Sequence, residues 1–75
     1  MYVYKINVLE ELKKKGYPQG KLRSNKILGG GTIEKIRNLE SITLDTLNTV
    51  CIMLKCQISD IIEIVPTSEE LEKYY

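Results

Sequence analysis

The apolar positions of this chain change period several times, and each change marks an element. Tyr2–Ile6 (YVYKI) is β-branched and aromatic with no turn residue, and predicts a short strand. Ile6, Leu9 and Leu12 then recur at helical spacing. The basic run Lys13–Lys15 before Gly16 supplies a favourable last turn and a stop, so a first helix is expected over Ile6–Lys15, with Asn7 as its cap. Tyr17-Pro18 is a connector, because proline disfavours helix in the residue before it. A second helix is expected over Gln19–Lys26 and a third from Gly30 to Asn38 or Leu39. Thr43 is a good N-cap, with Asp45 in the first turn; Leu44, Leu47, Val50, Cys51 and Leu54 follow at helical spacing and carry a fourth helix to Lys55. Ile58, Ile61 and Ile62 predict a short fifth helix around Ser59–Glu63, after which Ile62–Val65 reads as extended until Pro66. Tyr2–Ile6 is the available partner for that second strand, so the two ends of the chain are expected to pair antiparallel. Residues 1–66 then form one domain, followed by an acidic tail, 67–75, in which Thr67-Ser68-Glu69-Glu70 has the form of a capping box for a frayed last helix.

Within this pattern the stretch Gln19–Asn38 stands out: a short helix, a tight apolar turn and a second short helix, with apolar side chains at Leu22, Leu28, Ile33 and Ile36. Thr32, Lys35 and Asn38 fall on the other side of the later helix. Two short helices locked by such a cluster form a helix-turn-helix, whose second helix fits the DNA major groove.

Charge strengthens that expectation. The formal net charge is only +1. Residues 1–40, however, hold nine Lys/Arg and four Asp/Glu, for +5, whereas residues 41–75 hold two and six, for −4. The positive half carries the two-helix motif, and such segregation orients a protein on a polyanion. A lysine-rich face that is merely solvated is the plainer alternative.

The remaining composition excludes more than it suggests. With no Phe and no Trp the core must be aliphatic, with Tyr at its margins. Tyr2, Tyr4 and Tyr17 suit base stacking less well than the edge of a small core and a dimer contact. No His, no nucleophile beside a base and no paired catalytic carboxylates are visible, so no enzymatic activity, metal or other cofactor is expected; Asp60 and Glu63 read as solvated. Cys51 and Cys56 lie five apart in an apolar run. In a continuous helix their directions differ by about 140°, which suits buried free thiols in a reducing cytoplasm better than a disulfide. The apolar runs are too short for a membrane span or signal peptide, so no membrane partner is expected; no small-molecule ligand is expected either.

Gln at the start of the second helix, Leu three residues later, the apolar residue at the turn, then Thr-Ile and a following Ile resemble the phage Cro/repressor-type (Xre) helix-turn-helix regulators. The later stretch ITLDTLNTVCIMLKCQISDIIEIVP is similar to the last helices of a small single-domain branch of that family, so the likeness runs from Ile6 to Pro66. It implies an all-α, five-helix, lambda-repressor-like domain with a minor antiparallel pairing of terminal strands. It also implies a cytoplasmic transcriptional regulator, usually a homodimer on inverted repeats of double-stranded DNA, repressing by operator occupancy. Carried over by position, Gln19 would contact phosphate or base at the groove edge. Gly29, Gly30, Gly31, Thr32 and Lys35 would face the groove, and Lys26 and Asn38 would reach phosphates.

The chain departs from the family pattern at three places. Ile27 stands where the family commonly has glycine; a β-branched residue at positive φ is strained, so the turn is expected to differ or the second helix to extend a little. Pro18, at the N-cap of the second helix, has no side-chain acceptor. Gly29-Gly30-Gly31 opens the recognition helix where relatives carry base-reading side chains. Three readings of the glycines stand open: close approach of a bare helix terminus to phosphate, a scaffold turned to protein interaction such as an antirepressor, or a loosened turn. A nucleotide-binding loop does not fit, since GGGT lacks the Lys-Ser/Thr of a P-loop.

Overall fold

A computed structural model describes residues 1–74 of the 75; Tyr75, the end of the expected tail, lies outside the described residues. The elements, in chain order, are β1 (Tyr2–Tyr4), α1 (Val8–Lys14), α2 (Gln19–Ser24), α3 (Gly30–Arg37), α4 (Leu44–Leu54), α5 (Ile58–Ile61), β2 (Ile62–Ile64) and α6 (Ser68–Tyr74). The expected five helices are therefore joined, among the described residues, by a sixth. Its start is a reciprocal cap: the Thr67 N–H donates to the Glu70 carboxylate at 3.0 Å, and the Glu70 N–H donates to Thr67 Oγ1 at 3.2 Å. The Met1 ammonium bonds the same carboxylate and, with the Thr67 cap, holds it below its ordinary pKa.

The core is wholly aliphatic: Val8 and Leu12 of α1, Leu22 of α2, Leu28 in the turn, Ile33 and Ile36 of α3, Leu47 and Val50 of α4, and Ile61 of α5. All four apolar residues expected to lock the two-helix motif are thus buried. Leu44, counted with the apolar stripe of α4, is instead exposed, since it is the first residue of the helix and precedes the face that meets the core.

α1 to α4 end in the same way. One residue takes left-handed backbone angles: Gly16 at φ 92°, Lys26 at 55°, Leu39 at 59° and Lys55 at 55°. The N–H of the next residue then donates to a carbonyl five residues back, in the pairs Tyr17–Leu12, Ile27–Leu22, Glu40–Lys35 and Cys56–Cys51, at 2.8–3.0 Å. This is the Schellman stop, which satisfies the orphan carbonyls of a helix end. The turn differs from the family pattern, as Ile27 requires: its left-handed residue is Lys26, so no β-branched side chain is strained there. α2 also stops at Ser24, two residues short of the Lys26 expected.

Asn7 and Thr43 cap α1 and α4 as expected, accepting from the N–H groups of Glu10 and Thr46. Asp60 is not merely solvated: its carboxylate accepts from the Gln57 N–H at 2.9 Å and fixes the entry to α5. β1 pairs antiparallel with β2 in the register Tyr2–Ile64, Val3–Glu63 and Tyr4–Ile62. The N-terminal strand is shorter than Tyr2–Ile6, and the fifth helix ends at Ile61 because the backbone is already extended at Ile62. Tyr4 fastens this sheet to the two-helix motif. Its hydroxyl donates to the Glu40 carbonyl at 2.8 Å, just past the stop of α3. Burial, with Tyr2 alongside, pushes the Tyr4 phenol above its ordinary pKa.

Candidate nucleic-acid interface

α3 turns Ile33 and Ile36 into the core. At about 100° per residue, the direction opposite them is occupied by Gly31 and, one pitch on, Asn38, with Glu34 and Lys35 on either side. These outward residues are all exposed. Gly30 and Arg37 fall on the flank facing α2, and Thr32 on the flank facing α4. Thr32 therefore does not share the outward centre with Lys35 as its spacing suggested. It is half-buried and lines, with Lys35, a groove completed by Ser41, Ile42, Thr43 and Thr46. Gly30 likewise turns aside, toward α2.

The flank toward α2 is a polar seam. Gln19, half-buried at the first turn of α2, accepts through its side-chain oxygen from the Arg37 guanidinium, and Arg37 also pairs with Glu34 one turn back on α3. A Cβ added at Gly30 would sit 3.9 Å from Arg23 Nε, which places the Arg23 side chain over the start of α3. Gln19 and Arg23 are four apart on α2, and Gly30 and Arg37 seven apart on α3, so each pair forms one stripe and the two stripes face each other.

The start of α3 has no side-chain cap. Gly29, at its N-cap, is extended and offers no acceptor, which leaves the first amides of the helix and the positive end of its dipole open. None of the three glycines has a left-handed φ, and a Cβ at Gly29 or Gly31 would meet nothing within 4 Å. Neither backbone angles nor packing within the chain requires glycine there. Lys26 is exposed in the α2–α3 turn, and Asn38, the C-cap of α3, is exposed at the far end.

Residues 19–38 carry Lys21, Arg23, Lys26, Lys35 and Arg37 against Glu34 alone, for a formal +4. Arg23, Glu34, Arg37, Thr43 and Thr46 border this face without being among the residues expected there. The four-residue interval from Gln19 to Arg23 and the three-residue interval from Glu34 to Arg37 were visible signals. The approach of Thr43 and Thr46 to Thr32 depends on how α4 packs and has no sequence signature.

Two short helices, a turn over Asn25–Gly29, and a basic, capless second helix presented outward define a helix-turn-helix DNA-binding domain. A family model of the Cro/C1-type HTH DNA-binding domain matches residues 7–67 of the chain. The chain belongs to that family. No curated protein and no solved structure matches it. Among the described residues, no helix is long and apolar enough to cross a membrane, and no group of His, Cys, Asp and Glu is placed to hold a metal ion.

Proposed function

We propose that this chain is a transcriptional repressor that binds a specific duplex site through α3 and acts by occupying it. The observation that carries the reading is the outward face of α3, where Lys35 flanks bare backbone at Gly31 on a motif of net charge +4. In this reading Lys35 enters the major groove, and Glu34, held by Arg37, is positioned to accept from a cytosine amino group. The open amides at Gly29–Gly31 meet a phosphate. Gln19, Lys26, Thr32 and Asn38 fix the register on the backbone, joined by Arg23 and by Thr43 and Thr46 across the groove from Thr32.

The working unit is a homodimer on an inverted repeat, with its two copies of α3 about 34 Å apart, one turn of DNA. The dimer contact belongs to the C-terminal half around Ile61–Val65, with tyrosines nearby. Ile61 is fully buried in the monomer's own core, so the contact falls on what the terminal sheet leaves exposed: Tyr2, Ile64 and Val65.

Selection of binding sites from a random duplex pool, followed by titration of the selected site, tests both parts. Lys35→Ala should weaken binding by about 1–3 kcal/mol with relaxed preference at one position if Lys35 reads a base. If it meets only phosphate, the loss should be uniform and the salt slope should fall by about one unit. Failure to enrich any sequence at moderate salt would overturn the repressor reading and favour a protein-binding role for the scaffold.

A further inference from the structure

Cys51 and Cys56 are the only two cysteines of the chain. In an unbroken helix they would point in different directions, but the stop of α4 brings them together. Lys55 takes the left-handed conformation and turns the chain back, so that the Cys56 N–H donates to the Cys51 carbonyl at 3.0 Å. Covalent bond lengths and that hydrogen bond laid end to end span only roughly 7 Å between the two Cα atoms, and real bond angles shorten it into the range of about 4.4–6.8 Å that disulfides bridge. Both residues are half-buried at the margin of the core, within reach of a small solute. Partial burial pushes the Cys56 thiol above its ordinary pKa, and the neighbouring Cys51 and Asp60 push the same way. A Schellman stop sets the side chains of these two positions, the third residue before Leu54 and the second after it, side by side.

We propose that Cys51 and Cys56 form a reversible thiol–disulfide site that is closed by a peroxide. The Cys51 thiol gives up its proton and the thiolate attacks one peroxide oxygen; the O–O bond breaks, the departing hydroxide takes up that proton and leaves as water, and a sulfenic acid forms on Cys51. Cys56 gives up its proton and attacks that sulfur. The S–S bond forms, the S–O bond breaks, and the oxygen leaves as a second water. Two thiols lose two electrons in all, and one hydrogen peroxide is reduced to two waters.

The bond fixes the last turn of α4 to the entry of α5, and so to Ile61 and to the strand that pairs with β1. It lies toward the other end of α4 from the groove beside Thr32: Cys51 is five residues beyond Thr46, about 7.5 Å along the helix axis, and Cys56 follows the helix end. The disulfide therefore strengthens the terminal half of the domain while leaving the outward face of α3 open.

The test uses the full chain, reduced and then exposed to hydrogen peroxide, read by thiol titration, intact mass, non-reducing electrophoresis and thermal melting. The expected result is joint loss of both thiols, a mass lower by about 2 Da, a species that still runs as one chain, and a melting temperature raised by about 5 °C, all reversed by a thiol reductant. Cys51→Ser and Cys56→Ser should instead gain oxygen without the rise in melting temperature. Thiols that persist in the wild-type chain, oxygen adducts without the 2 Da loss, or links formed only between chains would each overturn the proposal. These readouts on the wild-type chain decide even where a serine variant fails to fold.

Discussion

Gly31→Ala separates the two structural readings of the glycine run. The substitution adds one methyl group at the centre of the outward face of α3, where a Cβ meets nothing within 4 Å and φ is not left-handed. In the free protein the effect is therefore the helix preference of alanine plus the reduced freedom of the unfolded chain, a gain of about 0.4–1 kcal/mol. For a domain of this size that raises the melting temperature by roughly 2–8 °C. On DNA the sign reverses if the amides of the run reach a phosphate. A methyl on that face holds the duplex off a hydrogen bond to a charged acceptor, a loss of about 1–3 kcal/mol, or roughly 5–150-fold in Kd. Gly30→Ala is the internal control: its methyl points to the flank, in ordinary contact with Arg23 at 3.9 Å, so it should give a similar gain in stability with a smaller loss of affinity. Melting by circular dichroism and titration of a selected duplex by fluorescence anisotropy, at one fixed salt concentration, measure both quantities. A Gly31→Ala protein that is more stable and binds DNA as tightly as the parent, or tighter, refutes close approach and leaves the glycines as a loose turn.

Further tests address how the motif is held. Leu39 is left-handed and two-thirds exposed, so Leu39→Gly should relieve backbone strain at little loss of burial and stabilise the fold by about 0.5–1 kcal/mol in urea unfolding; destabilisation would show that Leu39 packs in a way its exposure hides. Tyr4→Phe removes the bond to the Glu40 carbonyl and should cost about 0.5–1.5 kcal/mol in the same assay. Because the Tyr4 pKa is raised on folding, its contribution is complete below the ordinary tyrosine pKa and fades as pH climbs through the higher folded value. The wild-type chain should therefore lose more stability than Tyr4→Phe over that alkaline window, and equal losses would count against the anchor. Ile64→Asp, on the exposed terminal strand, should shift sedimentation toward monomer and weaken binding to a two-half-site operator more than to a single half-site; an unchanged sedimentation profile would move the dimer contact elsewhere.

Much of the fold was legible because local chemistry and tertiary packing agree. Asn7 and Thr43 announce helix starts that the structure uses, and Leu22, Leu28, Ile33 and Ile36 repeat at intervals that only one packing of two short helices can bury together. The terminal pairing was legible by elimination, since a second extended segment had one available partner. The helix ends were harder to read. Glycine marks the stop of α1, but α2, α3 and α4 stop on Lys26, Leu39 and Lys55, residues with no preference for left-handed backbone. Those stops are imposed by the contacts that follow, so spacing alone carries α2 two residues past Ser24 and does not mark Lys26 as the left-handed residue.

The candidate site divides along the same line. What lies within one helix could be read from spacing: Gly31, Lys35 and Asn38 turn away from Ile33 and Ile36 because a helical period requires it. What arises between helices could not. Gln19 was singled out for its place at the start of α2, yet its partner Arg37 is eighteen residues away and meets it only through the angle at which α2 crosses α3. Thr32 belongs by period to the edge of the outward face, and only the packing of α4 turns that edge into a groove wall shared with Thr43 and Thr46. The cysteines, too, depend on what happens at a helix end. Five residues apart reads as divergent while the helix is taken as continuous, and becomes adjacent once Lys55 reverses the chain. A one-residue change of backbone state at the end of α4 thus decides whether two thiols are separate core fillers or a single redox site.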